Sequence, residues 1–99
     1  MIVIEVRETE TFSEWLHKLR DVQVKARIAA RVRRLAFGNA GDVRPVGEGI
    51  SELRIQFGPG YRVYYVQRGS VLILLLCGGD KRTKNRDIET AKQLAKETA

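Results

Sequence analysis

Ninety-nine residues are the size of one domain and leave no room for separate cofactor and substrate lobes. The composition, 43% hydrophobic and 30% charged with two prolines, belongs to a folding chain and excludes a disordered, collagen-like or low-complexity one. Eighteen Lys and Arg against twelve Asp and Glu give a net charge of +6, which suits an anionic partner, although many folded basic domains bind nothing anionic.

Taken in chain order, Ile2 to Val6 is short and β-branched and predicts an opening strand. Glu5 interrupts its apolar run and no small-residue cleavage site follows, so a signal peptide is not expected. Phe12, Trp15, Leu16 and Leu19 recur at helical spacing and form one apolar face, with Thr11 or Ser13 as the cap. Asp21 is the N-cap of a second helix whose inward stripe is Val24, Ile28, Val32 and Leu35. Gly38 to Asp42 ends that helix, and the stretch through Pro45, Gly47 and Gly49 reads as loop.

From Ile50 the period becomes two. Leu53, Ile55 and Phe57 alternate with Glu52, Arg54 and Gln56, which predicts a strand with one core face and one open face. Gly58-Pro59-Gly60 turns the chain into a second strand, Tyr61 to Val66, and Arg68-Gly69 turns it into a third, Val71 to Cys77, apolar on both faces and therefore central. The run Asp80 to Arg86 then leads into a last helix marked by Ile88, Ala91, Leu94 and Ala95. These elements predict one α+β domain over residues 1–99: an N-terminal strand, a helical hairpin, a three-stranded antiparallel meander and a C-terminal helix. The run Val71 to Cys77 is far below the roughly 20 apolar residues of a membrane span. The lone Cys77 among leucines reads as a packed thiol in a reducing compartment, so a cytoplasmic protein is expected.

Charge is unevenly distributed, at −2 over residues 1–21, +9 over 22–86 and −1 over 87–99. The excess falls on the second helix, where Arg31 and Arg34 are candidate contacts to an anionic partner such as RNA with a solvated face as the alternative, on the meander, and on the segment after the last strand. One His, one Cys and scattered carboxylates show no metal-ligand spacing, and no glycine-rich phosphate motif occurs, so neither metal nor nucleotide cofactor is expected. His17 has no catalytic partner nearby in sequence and reads as a surface or boundary residue.

What remains is arginine, lysine and tyrosine. Arg54 and Gln56 lie on one strand, Tyr61, Arg62 and Tyr64 on the next, and Lys81, Arg82, Lys84 and Arg86 beyond the third. Guanidinium forks grip phosphate bidentately and neutralise charge on a phosphorane, but they do not act as bases. Tyrosine rings beside them are candidates to stack on the bases of single-stranded RNA, with cross-strand packing as the alternative for each ring.

Gly49-Ile50-Ser51-Glu52-Leu53-Arg54-Ile55, Gly58-Pro59-Gly60-Tyr61-Arg62-Val63-Tyr64-Tyr65, Leu75-Leu76-Cys77-Gly78-Gly79-Asp80-Lys81 and Asp87-Ile88 together resemble the bacterial RelE/ParE toxin superfamily. The chain is most similar to its HigB-like "addiction module killer proteins". The resemblance implies a helical hairpin against an antiparallel sheet, and a toxin of a type II toxin–antitoxin module neutralised by a small helix-turn-helix antitoxin. It further implies cleavage of messenger RNA on the ribosome, without metal or cofactor. Arg54, Arg62 and Arg82 match the family's basic positions, and Lys81 or Lys84 is available to take part. Gln56 stands where RelE proper has a second basic residue, and Ile88 where it has a tyrosine. Two other readings stay open: a ParE-like inhibitor of DNA gyrase, and a basic nucleic-acid-binding module without toxicity.

Overall fold

The computed structural model describes residues 4–98. Its strands are β1 (Glu5–Glu8), β2 (Val43–Gly47), β3 (Ile50–Ile55), β4 (Tyr61–Arg68) and β5 (Leu72–Asp80), and its helices α1 (Glu10–Lys18), α2 (Val22–Ala36) and α3 (Lys84–Glu97). A 3-10 turn, Lys81–Thr83, joins β5 to α3. The strands form one sheet in the order β1-β5-β4-β3-β2, with β1 parallel to β5 and every other pair antiparallel.

The α+β architecture is the expected one, with four corrections. The opening strand runs to Glu8, whereas Ile2 and Val3 of the expected strand lie outside the described residues. The first helix is capped by Thr9, whose side chain accepts from the Phe12 amide and donates to the Leu76 carbonyl at 2.6 Å. The meander has four strands: Val43–Gly47, expected as loop, is an edge strand. Its Pro45 is tolerated because only one side of an edge strand must be hydrogen-bonded, and a bulge follows it. The β2–β3 turn places Glu48 and Gly49 at φ values of 53° and 79°, the positive pair that a tight type I′ hairpin requires.

The fourth correction concerns the open face. Phe12, Val24, Ile28 and Leu35 of α1 and α2 pack with Leu53, Ile55, Val63, Tyr65, Ile73 and Leu75 on one side of the sheet. On the other side α3 lays Ala91, Ile88 and Leu94 against Ile50, Tyr64, Leu76 and Cys77. Both faces are therefore covered, and the polar side of β3 is largely enclosed. A register shift between Tyr64 and Tyr65 gives Leu75 and Cys77 partners and leaves Leu76 between them, so three consecutive residues of β5 are buried. Arg68 fixes the far end of α3 by donating to the Ala95 carbonyl at 2.7 Å and to the Thr98 carbonyl, a cation at the negative helix end.

Candidate RNA-binding cleft

α3 covers only part of its face. Where β3, β4 and the β5–α3 connection meet beyond its N-terminus, two adjoining clefts open. One, of about 390 Å3, is lined by Arg54, Gln56, Phe57, Tyr61, Arg62 and Lys81 together with the Gly58-Pro59-Gly60 turn. The other, of about 500 Å3, is lined by Arg54, Arg62, Lys81, Arg82, Lys84 and Arg86. Arg54, Arg62 and Lys81 belong to both.

Strand register accounts for the convergence. Arg54 lies directly opposite Arg62, and Glu52 directly opposite Tyr64. Two positions apart on one strand is the same face, so all four side chains stand on the α3 side. Two arginines opposed across a ladder repel each other. Glu52 offsets this: its carboxylate is 3.4 Å from Arg62 Nε, 3.7 Å from Arg54 Nε and 3.9 Å from Lys84 Nζ, and it accepts from the Tyr64 hydroxyl at 3.1 Å. Glu52 and Arg62 are buried, with side chains 1% and 6% exposed, while Arg54 and Lys84 are 26% and 43% exposed.

Lys84 and Arg86 are not in a loop, as the sequence suggested, but in the first turn of α3. Cations at the positive end of a helix dipole carry an unfavourable energy, partly relieved here by Asp87, and the same end attracts anions. At the rim, Asp80 caps the 3-10 turn and receives the Arg82 guanidinium at 2.8 Å. The hydrogen bond from Arg82 holds the Asp80 carboxyl below its ordinary range. Arg82 nevertheless stays 80% exposed, anchored by its own carboxylate and open to solvent.

Of the expected site residues, Arg54, Arg62, Lys81, Arg82, Lys84, Arg86, Gln56 and Tyr61 line this double cleft. Arg62 does so with only its edge, because its guanidinium is buried and also donates to the Gly60 carbonyl at 3.1 Å. Gln56 donates to Asp42 at 3.1 Å. Three expectations change. Tyr64 is 0% exposed and has no surface for a base; burial and the neighbouring Glu52 carboxylate push its hydroxyl well above the ordinary tyrosine range. Arg31 donates to the carbonyls of Arg54 at 2.6 Å, Ala40 at 3.0 Å and Asp42 at 3.4 Å, so it ties α2 to β3 and is committed to structure. Arg34, exposed in the last turn of α2, lies outside both clefts.

Two residues not expected at the site belong to it. Glu52 is the hub of the cations, and Phe57 lines the first cleft with the Arg27 guanidinium 4.1 Å above its ring. His17 is exposed on α1, away from the clefts. Among the described residues no helix is long and apolar enough to cross a membrane.

The fold also has a likeness among solved structures, in a toxin–antitoxin complex. The chain is similar to a chain of the RelBE2 complex from Mycobacterium tuberculosis, with a TM-score of 0.53 and 25% identity over 81% of this chain and 100% of that one. The architecture is that of a RelE-like toxin. Residues 14–97 match the family described as phage derived protein Gp49-like (DUF891), and the chain belongs to that family. An uncharacterised protein of Haemophilus influenzae (strain ATCC 51907 / DSM 11121 / KW20 / Rd) is 52% identical over 96 residues, 97% of each chain.

Proposed function

We propose that the protein is the toxin of a type II toxin–antitoxin module, a metal-independent endoribonuclease that cuts messenger RNA on the ribosome and so stops translation. It belongs on this reading to the HigB-like branch, acts in the cytoplasm, and is silenced by a small helix-turn-helix antitoxin. The observation that carries the reading is the double cleft, in which Arg54, Arg62 and Lys81 are shared by two openings and Arg82, Lys84 and Arg86 extend the positive surface. The RelBE2 likeness supports an antitoxin partner.

The chemistry that suits such a cleft is attack by a ribose 2′-oxygen on its own 3′-phosphate. The 2′-hydroxyl proton passes to solvent, the 2′-O–P bond forms, the P–O5′ bond breaks, and the departing oxygen takes up a proton, leaving a cyclic phosphate and a 5′-hydroxyl. Arg62 and Arg54 hold the scissile phosphate in line for attack and neutralise the phosphorane. Lys81, Arg82 or Lys84 stabilises the departing oxygen, and of these only a lysine ammonium gives it a proton. Tyr61 and Phe57 flank the first opening, where a neighbouring base has room to stack.

The test is cleavage of message on programmed ribosomes by the purified protein, with 5′ ends mapped, and expression with and without the neighbouring reading frame. Growth arrest, cut message carrying 5′-hydroxyl ends, and rescue by the neighbour are expected. Uncut message with blocked DNA supercoiling would transfer the case to gyrase inhibition, and harmless expression without a retained partner would leave a nucleic-acid-binding module.

A further inference from the structure

The most unusual group in the molecule is a carboxylate that an RNA cannot reach. Glu52 is 1% exposed, yet three cations and a tyrosine hydroxyl are turned toward it. Among the described residues its Oε1 has no hydrogen-bond partner, and neither has the buried Arg62 Nε, although Arg62 Nε and Glu52 Oε2 are 3.4 Å apart. A carboxylate enclosed in this way is out of reach of a substrate hydroxyl, since Glu52 lines neither cleft. It is well placed for another task.

We propose that Glu52 is a positioning residue: it holds Arg54, Arg62 and Lys84 together as a preset clamp for one phosphate group. This rests on the reading of the cleft as a phosphate site. Without an internal anion, Arg54 and Arg62, opposed on adjacent strands, would turn apart. With it, both Nε edges face inward and both arginines still line the two clefts. Lys84, more exposed and furthest from the carboxylate, completes the clamp from the first turn of α3. Tyr64 fixes the carboxylate from the other side through its hydroxyl. Glu52 therefore acts on substrate only through the arginines, and its removal should spoil geometry while adding net positive charge.

Full-length wild type, Glu52→Gln and Glu52→Asp would be compared, folding being checked by thermal melts. Asp keeps the charge but draws it back by one methylene. Single-turnover cleavage at saturating enzyme is expected to fall on the order of a hundredfold in Gln, as misplacement of a catalytic group by about 1 Å does, and measurably in Asp. Affinity for a 2′-deoxy, uncleavable oligonucleotide should stay equal or rise in Gln, because phosphate binding follows net charge. The rate–pH profile of Gln should keep the wild-type shape and be displaced downward. Independently of activity, the Arg62 Nε–H resonance should be slowly exchanging and shift on titration with inorganic phosphate in wild type, and lose both properties in Gln.

Flattening of the pH profile in Gln would make Glu52 the proton acceptor and overturn the proposal. So would parallel loss of rate and affinity, or an Arg62 Nε–H indifferent to Glu52. If wild type cuts no message at all, the nuclease reading fails, while the phosphate titration still decides the role of Glu52.

Discussion

A Cβ on Gly79 would collide with the Asp87 carboxylate and lie 2.8 Å from Thr83 Oγ1, so the end of β5 and the first turns of α3 meet across a glycine where even a methyl group forces its neighbours to shift. The Asp87 carboxylate accepts from the Thr83 hydroxyl at 2.5 Å in this space, which sets α3 and hence Lys84 relative to the sheet. Gly79→Ala is expected to destabilise by about 1–3 kcal/mol through overpacking. The melting temperature should fall by roughly 4–8 °C for each kcal/mol in a chain of this size. Asp87→Ala relieves the clash, so the double variant should lose less than the two single losses together. Additive losses would show that the contact is not the cause.

Cys77 is buried, with its thiol directed at the Asp87 carbonyl at 3.3 Å, and burial pushes its pKa up from 9.0 to about 12. The native protein should resist alkylation at pH 8 and react only when unfolded. Below about pH 9 the thiol is neutral in both states, whereas between about 9 and 12 only the unfolded chain ionises. Stability should therefore decline over that window, and decline less in Cys77→Ala, as urea titrations at several pH values would reveal.

Much of the fold was legible because large apolar residues mark both periods plainly. Val24, Ile28 and Leu35 are buried as their helical spacing requires, and Asp21 caps α2 through the Gln23 amide. β2 was not legible, since Pro45 and Gly47 are loop residues by propensity and become a strand only because β3 offers them an edge. Arg54, Arg62 and the cations after β5 stood out as a basic cluster. Glu52 did not, because alternation assigns it to a polar face, and only the packing of α3 over that face turns an exposed position into a buried one. Arg31 misled for the converse reason: in sequence it is one of many helix arginines, and its three carbonyl partners come from residues 40, 42 and 54.

Cleavage on ribosomes should survive EDTA at magnesium levels that keep the ribosome intact, and should need no added zinc, because the proposed transition-state charge is met by guanidinium and ammonium groups. Binding of an uncleavable oligonucleotide should weaken steeply with salt, and Arg82→Ala and Arg86→Ala should each reduce the slope of log K against log salt by about 1. Activity that requires added metal, or affinity indifferent to salt, would contradict the proposed mechanism.

Three arginines separate geometry, field and structure. Arg62 lines both clefts and is held by Glu52 and by the Gly60 carbonyl; Arg34 is exposed on α2 outside the clefts; Arg31 is bonded to three carbonyls. Replacement of any of them by Ala removes one positive charge. Arg62→Ala should abolish growth arrest and slow single-turnover cleavage on the order of a hundredfold or more, as loss of a preorganised transition-state donor does. Arg62→Lys keeps the charge without the fork, and should stay impaired if two nitrogens must be fixed at once. Arg34→Ala serves as the charge control and should change the rate little. Arg31→Ala should show its effect in the melt, because each lost bond from a charged donor costs up to roughly 1.5–3 kcal/mol, less where the carbonyl is only partly buried as here, and its cleavage rate should recover at temperatures where it is folded. Equal rates in Arg62→Ala and wild type would move the chemistry out of this cleft, whereas equal damage from Arg34→Ala and Arg62→Ala would reduce the role of Arg62 to its contribution to the field.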